Sequence, residues 1–119
     1  MIRPVAQKPG CFGELPGGDG FKFYELLYNG EVYGYGALDF RFKPYCLLHL
    51  EISKWTPSIY KEIKGRDWNF AKNIIRALDC YMVVLTKKGN LQNQASYTKL
   101  IKTCGFPEPV EFTQSTQEI

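Results

Sequence analysis

Hydrophobic and polar residues in the first half of the chain follow a pattern that predicts antiparallel strands. Two strand-like runs, Phe21–Tyr28 and Glu31–Phe40, flank the dipeptide Asn29-Gly30. Asn-Gly between two such runs predicts a hairpin, because both turn positions need a positive φ. A third run, Tyr45–Ile52, predicts another antiparallel strand that is more deeply buried.

The residues before the hairpin predict less regular structure. Pro9–Gly20 holds five glycines and two prolines, so we expect a loop there. Ile2–Ala6 is compatible with a short first strand, and residues 1–20 together form a strand-and-loop lead-in. Gly34 and Gly36 interrupt the second strand of the hairpin and indicate a bulge or a close approach of two backbones.

The period of the pattern then changes to that of a helix. Thr56 followed by proline predicts a helix start, because the hydroxyl caps and proline needs no N–H in the first turn. Gly65 is expected to divide the region into a short helix, Pro57–Lys64, and a longer one, Asp67–Cys80, capped by its own first residue. The apolar face of this region is formed by residues at helical spacing: Trp68, Ala71, Ile74, Ile75 and Leu78.

The last third of the chain predicts one more strand-and-helix unit. Tyr81–Leu85 is continuously apolar, as in a strand covered on both faces. Ala95–Thr103 predicts a helix that Gly105 ends. We expect a final strand at Pro109–Thr113 and a flexible tail at residues 115–119.

This order of elements predicts one α/β (α+β) domain over residues 1–119. An antiparallel meander is followed by a βαβα unit, which together give a mixed sheet with helices on both faces. The chain has 119 residues, enough to bury a core of its own.

Composition and charge narrow the classes of partner. The net charge of +3 is too small to indicate nucleic acid, and few basic residues lie among the many aromatic ones, which make up 15% of the chain. Cross-strand packing or a protein interface accounts better for the aromatic residues. No stretch is typical of a signal peptide or a transmembrane segment.

The cysteines and the single histidine predict no metal site. Cys11, Cys46, Cys80 and Cys104 are far apart in sequence, and His49 is the only histidine. Metal-ligand spacing is therefore lacking. Cys46 and Cys80 adjoin apolar runs and are expected in the core.

The chain resembles the GNAT (Gcn5-related N-acetyltransferase) family over roughly residues 21 to 114. The strand LLHLEIS, which carries His49, stands where the family's fourth strand leads into its pyrophosphate loop. The closing segment LIKTCGF, with Gly105-Phe106, is similar to the family's "lyeklGF". The resemblance implies a GNAT-like fold and, in an active member, acetyl-CoA as the cofactor.

The positions that bind the cofactor and donate the proton in the family are occupied by different residues in this chain. The family binds pyrophosphate with an Arg/Gln-x-x-Gly-x-Gly/Ala loop, but Ser53–Ser58 reads SKWTPS and has no glycine. Ile101 stands where the family has its tyrosine general acid, and Tyr97 lies one helical turn earlier. The resemblance therefore implies a scaffold without standard catalysis and without a cofactor. If acetyl-CoA does bind, the residues implied are Lys54, Trp55, Thr56 and Ser58.

Within that family the pattern resembles short GNAT-like proteins of tailed bacteriophages. This resemblance implies a role in virion or head assembly, in the host cytoplasm or the virion, with other virion proteins or a second copy as partners. The matching residues are Ile2-Arg3-Pro4, Asn29-Gly30-Glu31, Gly34, His49, Trp55, Pro57 and Gly105-Phe106.

Two hypotheses about function follow. The first is a non-catalytic interaction module that uses either the strand edge of Phe21–Tyr28 or a surface around Trp55 and Lys61. The second is a divergent N-acetyltransferase, in which Glu51 and His49 would be the catalytic residues. These two residues are two apart on one strand and so share a face, although a lone histidine in an apolar strand is more often a core residue.

Overall fold

The computed structural model describes residues 1–86, 94–106 and 114–119. The strands form one sheet in chain order: β1 (Ile2–Val5), β2 (Phe21–Tyr28), β3 (Glu31–Phe42), β4 (Tyr45–Ile52), β5 (Met82–Thr86) and β6 (Gln114–Glu118). The helical elements are a 3₁₀ turn (Gly10–Phe12), α1 (Pro57–Glu62), a π-turn (Ile63–Asp67), α2 (Trp68–Ala77) and α3 (Gln94–Thr103).

The sheet is antiparallel except at one pair of strands. β1 to β4 form an antiparallel meander, β5 pairs parallel with β4, and β6 returns antiparallel to β5. The crossover between β4 and β5 contains α1, the π-turn and α2. The predicted meander followed by a βαβα unit in a mixed sheet is confirmed.

The β2–β3 hairpin turns where the sequence predicts. Asn29 and Gly30 have φ values of 51° and 78°, the positive values that a two-residue turn of this kind needs. Gly30 adopts this conformation without strain, and asparagine tolerates it better than most residues.

A β-bulge follows this turn. Leu26 is opposite Gly34 and Leu27 is opposite Val32, so Tyr33 is an extra residue with no opposed residue in β2. A Cβ on Gly34 would lie 2.7 Å from the carbonyl oxygen of Glu51 on β4. Gly34 therefore marks both the bulge and the close approach of β3 to β4, as expected, whereas a Cβ on Gly36 would make only ordinary contacts.

Two hydrophobic clusters lie on opposite faces of the sheet. We call the face under α1, α2 and α3 the core face, because most of the buried residues lie there, including Leu48, Ile59, Ile75 and Leu100. The other, the open face, carries a smaller cluster that comprises Phe12, Phe21, Phe23 and Ala37. The sequence predicts helices on both faces. In the described residues, α1, α2 and α3 pack on the core face, and the 3₁₀ turn is the helical element that contributes to the smaller cluster on the open face.

The crossover helix is continuous where the sequence predicts a break at Gly65. The chain passes from α1 to α2 through the π-turn, and Gly65 lies in its middle. Asp67 makes no side-chain capping bond and has helical backbone angles, so the predicted cap is wrong. Its side chain is buried, together with that of its neighbour Trp68.

The C-terminal end also differs from the prediction. Residues 115–119, predicted as a flexible tail, belong mostly to β6, which pairs with β5 along its whole length. The predicted strand Pro109–Thr113 lies outside the described residues. Within the described ranges, no helix combines the length and the apolar character that crossing a membrane requires.

Substitutions at the two glycines of β3 test the packing of this sheet. Gly34→Ala should lower the free energy of unfolding by about 1–3 kcal/mol, because its new Cβ meets the β4 backbone. Gly36→Ala should raise it by about 0.4–1 kcal/mol, because a Cβ there makes only ordinary contacts with Leu50 and His49. Urea unfolding of both variants gives the comparison, and an equal effect at the two positions would contradict it.

Candidate functional site

The site that the sequence indicates lies where β4 and β5 stop pairing. The last opposed residues of the two strands are His49 and Thr86. β4 continues to Ile52 while it remains paired with β3. The turn 53–56 and α1 follow directly, so the predicted catalytic residues His49 and Glu51 and the predicted cofactor residues lie in consecutive elements at this end of β4.

The first amides of the turn after β4 are used within the fold. The N–H groups of Ser53 and Lys54 both donate to the carbonyl oxygen of Tyr33, at 2.9 and 3.3 Å. The Ser53 hydroxyl also donates to this oxygen, at 3.2 Å. These two N–H groups therefore point into the sheet and not toward a ligand.

The start of α1 is capped as the sequence predicts. Thr56 has extended backbone angles, and its Oγ1 accepts a hydrogen bond from the Ile59 N–H at 3.2 Å. Pro57, at the first helical position, has no N–H. Of the three first-turn positions, Pro57 and Ile59 thus offer no free donor to an anion, and Ser58 is the third.

The side chains of the turn are also engaged. Lys54 Nζ lies 2.9 Å from Glu31 Oε2 on β3. Both side chains are exposed, and the hydrogen bond and charge of Lys54 lower the pKa of Glu31. The ring of Trp55 packs against that of Tyr60, with centroids 5.2 Å apart.

A contact between helices lies beside this turn. The ammonium of Lys99 on α3 is 4.5 Å from the centroid of the Tyr60 ring on α1. α1 follows β4, and α3 follows β5. The Trp55–Tyr60–Lys99 stack therefore connects α1 to α3. It lies at the end of β4 and β5 where these two strands stop pairing.

His49 and Glu51 lie on the open face, opposite Ala37 and Tyr35 of β3. Both side chains are half-buried. Burial lowers the pKa of His49, and the nearby negative charge of Asp39 opposes this shift only in part. A histidine with a lowered pKa is neutral at pH 7 and can accept a proton.

An ion pair between a buried carboxylate and an exposed guanidinium on the same face was not predicted. Asp39 is almost fully buried, and it accepts hydrogen bonds from Nε and Nη2 of Arg41 at 2.9 and 2.8 Å. Burial raises the pKa of Asp39, but the hydrogen bonds and charge of Arg41 outweigh it and leave the pKa lowered. The signal in the sequence was an Asp-x-Arg pair two residues apart in an apolar strand.

A second buried polar contact joins the sheet to the crossover helix. The Tyr33 hydroxyl donates to Asp67 Oδ2 at 2.6 Å, and the Met1 ammonium lies 2.8 Å from Asp67 Oδ1. Burial and the neighbouring carboxylate both raise the pKa of Tyr33. Because 34 residues separate Tyr33 from Asp67, no local pattern predicts this contact.

The positions that the family uses for proton transfer lie on α3. Ile101 is buried in the main core, as a packing residue. Tyr97 lies within α3, but its side chain is outside the described part. In residues 1–86, 94–106 and 114–119, no three His, Cys, Asp or Glu side chains come close enough to hold a metal.

Three exposed aromatic residues gather at the other end of β4, and we call them the aromatic end: Phe42, Tyr45 and Tyr81. Phe42 is opposite Tyr45 in the β3–β4 pair. The N–H of Tyr81 donates to the carbonyl oxygen of Pro44 at 3.1 Å, which places it beside them. The Arg41 guanidinium lies 4.6 Å from the centre of the Phe21 ring and 5.0 Å from that of Phe42.

Comparison with solved structures identifies the fold. The chain superimposes on the N-acetyltransferase PseH of Campylobacter jejuni, also solved with acetyl coenzyme A, with a TM-score of 0.58 at 10% identity, over 85% of this chain and 70% of that one. A protein of Desulfovibrio desulfuricans assigned to the GNAT family gives 0.58 at 12% identity, over 83% and 69%. The PaiA N-acetyltransferase of Thermoplasma acidophilum, solved with coenzyme A, gives 0.58 at 14% identity, over 84% and 62%.

Sequence comparison adds no family assignment. No protein-family model matches the chain, and no curated protein matches it. At identities of 10 to 14% the structural likeness shows the fold alone. The chain therefore has a GNAT-like fold, as its sequence predicts.

Removing the α1 cap tests how the turn after β4 is held. Thr56→Ala should lower the free energy of unfolding by about 1 kcal/mol, because the Ile59 N–H loses its acceptor. Thr56→Ser keeps an oxygen at the same place and serves as the control. Urea unfolding measures both, and an equal loss in the two variants would show that the hydroxyl does not cap.

The lowered pKa of His49 predicts a pH dependence of stability. The unfolded chain protonates His49 near pH 6.5, whereas the folded chain does so only at lower pH. The unfolded state therefore binds more protons just below pH 6.5, and stability should fall as pH drops through that range. NMR titration of the imidazole measures the pKa, and His49→Gln should flatten the stability profile. An imidazole pKa at or above 6.5 would contradict the prediction.

Proposed function

We propose that this chain is a non-catalytic protein with a GNAT-like fold that works by binding another protein. The observation that carries the proposal is the hydrogen bonding of the turn after β4. The N–H groups of Ser53, Lys54 and Ile59 already have acceptors within the fold, and Pro57 has no N–H group. A phosphate needs several such donors pointing at it from a helix start or loop.

The surroundings of the turn support the same conclusion. The charge of Lys54 is paired with Glu31, and the Trp55–Tyr60–Lys99 stack lies beside the helix start. An incoming pyrophosphate would have to displace these contacts before it gained any of its own. Ile101 adds no proton donor, because its side chain is a buried hydrocarbon.

The surface that we propose for the partner is the aromatic end. Protein interfaces are enriched in tyrosine, phenylalanine and arginine. Phe42, Tyr45 and Tyr81 are each about half exposed, and Arg41 is held in place beside them by Asp39. This surface replaces the strand edge proposed at Phe21–Tyr28, because β2 is paired on both sides by β1 and β3.

The setting that we propose is the assembly of a phage virion. Its support is the resemblance of the motifs in the sequence to those of short phage proteins. The partner would then be another virion protein or a second copy of this chain.

Acetyl-CoA binding tests the non-catalytic role. The purified protein should show no rise in melting temperature with acetyl-CoA up to about 1 mM. A ligand at a hundred times its Kd would stabilise the fold by about 2.7 kcal/mol, which a melting curve detects easily. An acetyltransferase of the same fold, measured in parallel, is the positive control. A saturable rise that Lys54→Glu removes would contradict the proposal.

A divergent N-acetyltransferase is the second candidate. The observation that favours it is the position of His49 and Glu51, on one face of β4 beside the end of its pairing with β5. Glu51 would act as the base that takes the proton from an amine substrate, and His49 would help to orient that substrate. The likeness to N-acetyltransferases, two of them solved with acetyl coenzyme A or coenzyme A, also favours this candidate. Acetyl transfer to an amine that Glu51→Gln abolishes would establish it.

Charge at the aromatic end tests the interaction surface. Tyr45→Glu should abolish co-purification with the partner or self-association, because an unpaired charge buried at an interface costs several kcal/mol. Phe70→Glu is the matched control, since Phe70 on α2 is 52% exposed, close to the 45% of Tyr45. Sedimentation velocity and affinity co-purification give the readout, with circular dichroism to verify folding. Equal assembly of both variants would place the interface elsewhere.

A further inference from the structure

A cavity of about 70 Å³ lies inside the main core, between the core face of the sheet and the helices. Residues from β1 to β5 form one wall, and residues from the π-turn, α2, α3 and the segment that follows α3 form the other. Representative lining residues are Tyr24, Gly36, Leu50, Ile74, Leu85 and Leu100. The cavity is separate from the turn after β4 that would meet a cofactor phosphate.

Only apolar atoms face this cavity. Some lining residues also carry polar groups, and two of these residues, Tyr33 and Asp67, are hydrogen-bonded to each other at 2.6 Å. A buried water needs two to four polar partners, and a cavity without them stays dry. Because no polar atom faces the cavity, an apolar occupant is favoured over water.

The size of the cavity exceeds that of an ordinary packing defect. One water needs roughly 10–15 Å³ of such volume, so about five waters' worth of space is left in the core. Native cores hold few voids larger than a single water molecule.

Gly36 helps to keep this space open. Its position on the core face, opposite Tyr24 and Leu50, places the missing side chain toward the cavity. A Cβ there would lie 3.7 Å from Leu50 Cδ2, which is an ordinary contact. Alanine would thus fit at position 36 and take up part of the volume, so the backbone does not require glycine there.

We propose that this cavity is a binding site for a small, uncharged, apolar ligand of a few heavy atoms, such as a short aliphatic group. The lining residues Ile2, Leu50 and Ile74 are only half-buried, so the cavity comes close to the protein surface at β1, β4 and α2. A rotamer change at one of these residues opens a path for such a ligand. The proposal holds whether or not acetyl-CoA binds, because no residue of the turn after β4 lines the cavity.

Xenon is the probe that tests this site, because it is apolar and its size is close to that of one or two methyl groups. Methyl NMR spectra recorded under increasing xenon pressure should show saturable shifts for Leu50, Leu85 and Leu100. Gly36→Ala should weaken the binding at least tenfold. Gly65→Ala, whose Cβ would meet nothing within 4 Å, is the control and should bind as the parent does.

Each other outcome would overturn the proposal. Shifts that do not saturate would mean that xenon meets the surface only. Equal binding by the parent and Gly36→Ala would place xenon in a different cavity. Saturable shifts of the same methyl groups with acetate, a charged molecule of similar size, would show that the site is not selective for apolar ligands.

Discussion

The hydrogen bond from Tyr33 to Asp67 joins the sheet to the crossover helix inside the core, and both of its ends depend on irregular backbone. In a regular strand Tyr33 would share the open face with Tyr35, because side chains alternate. The β-bulge turns it to the core face instead. On the helix, the π-turn carries Asp67 to the same place. The contact thus accounts for two departures from regular structure, the β-bulge that weakens β3 and the π-turn that weakens the crossover helix.

The same residue also determines the chemistry at the end of β4. While the hydroxyl of Tyr33 binds Asp67, its carbonyl oxygen accepts the N–H groups of Ser53 and Lys54. The bulge that gives the core its buried tyrosine therefore gives the following turn an acceptor for its amides. Those amides are then lost to any phosphate. Tyr33 thus supports the core through its side chain and the turn after β4 through its carbonyl oxygen.

Features encoded by neighbouring residues could be predicted from the sequence, whereas those that need a distant partner could not. Asn29-Gly30 acts through its own backbone angles, and the Thr56 hydroxyl acts on an N–H three residues away; both predictions are confirmed. Asp67 precedes an apolar helical stripe and so has the pattern of a cap, but its partner is a tyrosine 34 residues away. β6 has the polar sequence QSTQE, whose regular structure comes from its pairing with β5 and not from hydrophobic alternation.

The π-turn is equivalent to one residue inserted into an α-helix. From Ile59 the buried apolar positions step by four residues to Ile63, by five to Trp68 and by seven to Ile75, so only the middle step departs from the spacing of an α-helix. Each residue turns an α-helix by about 100°. Losing one residue between Ile63 and Trp68 would leave both apolar halves facing the sheet, whereas the same deletion within α2 would rotate everything after it. Homologues of this chain can therefore vary in length at the π-turn at the expense of the buried carboxylate alone.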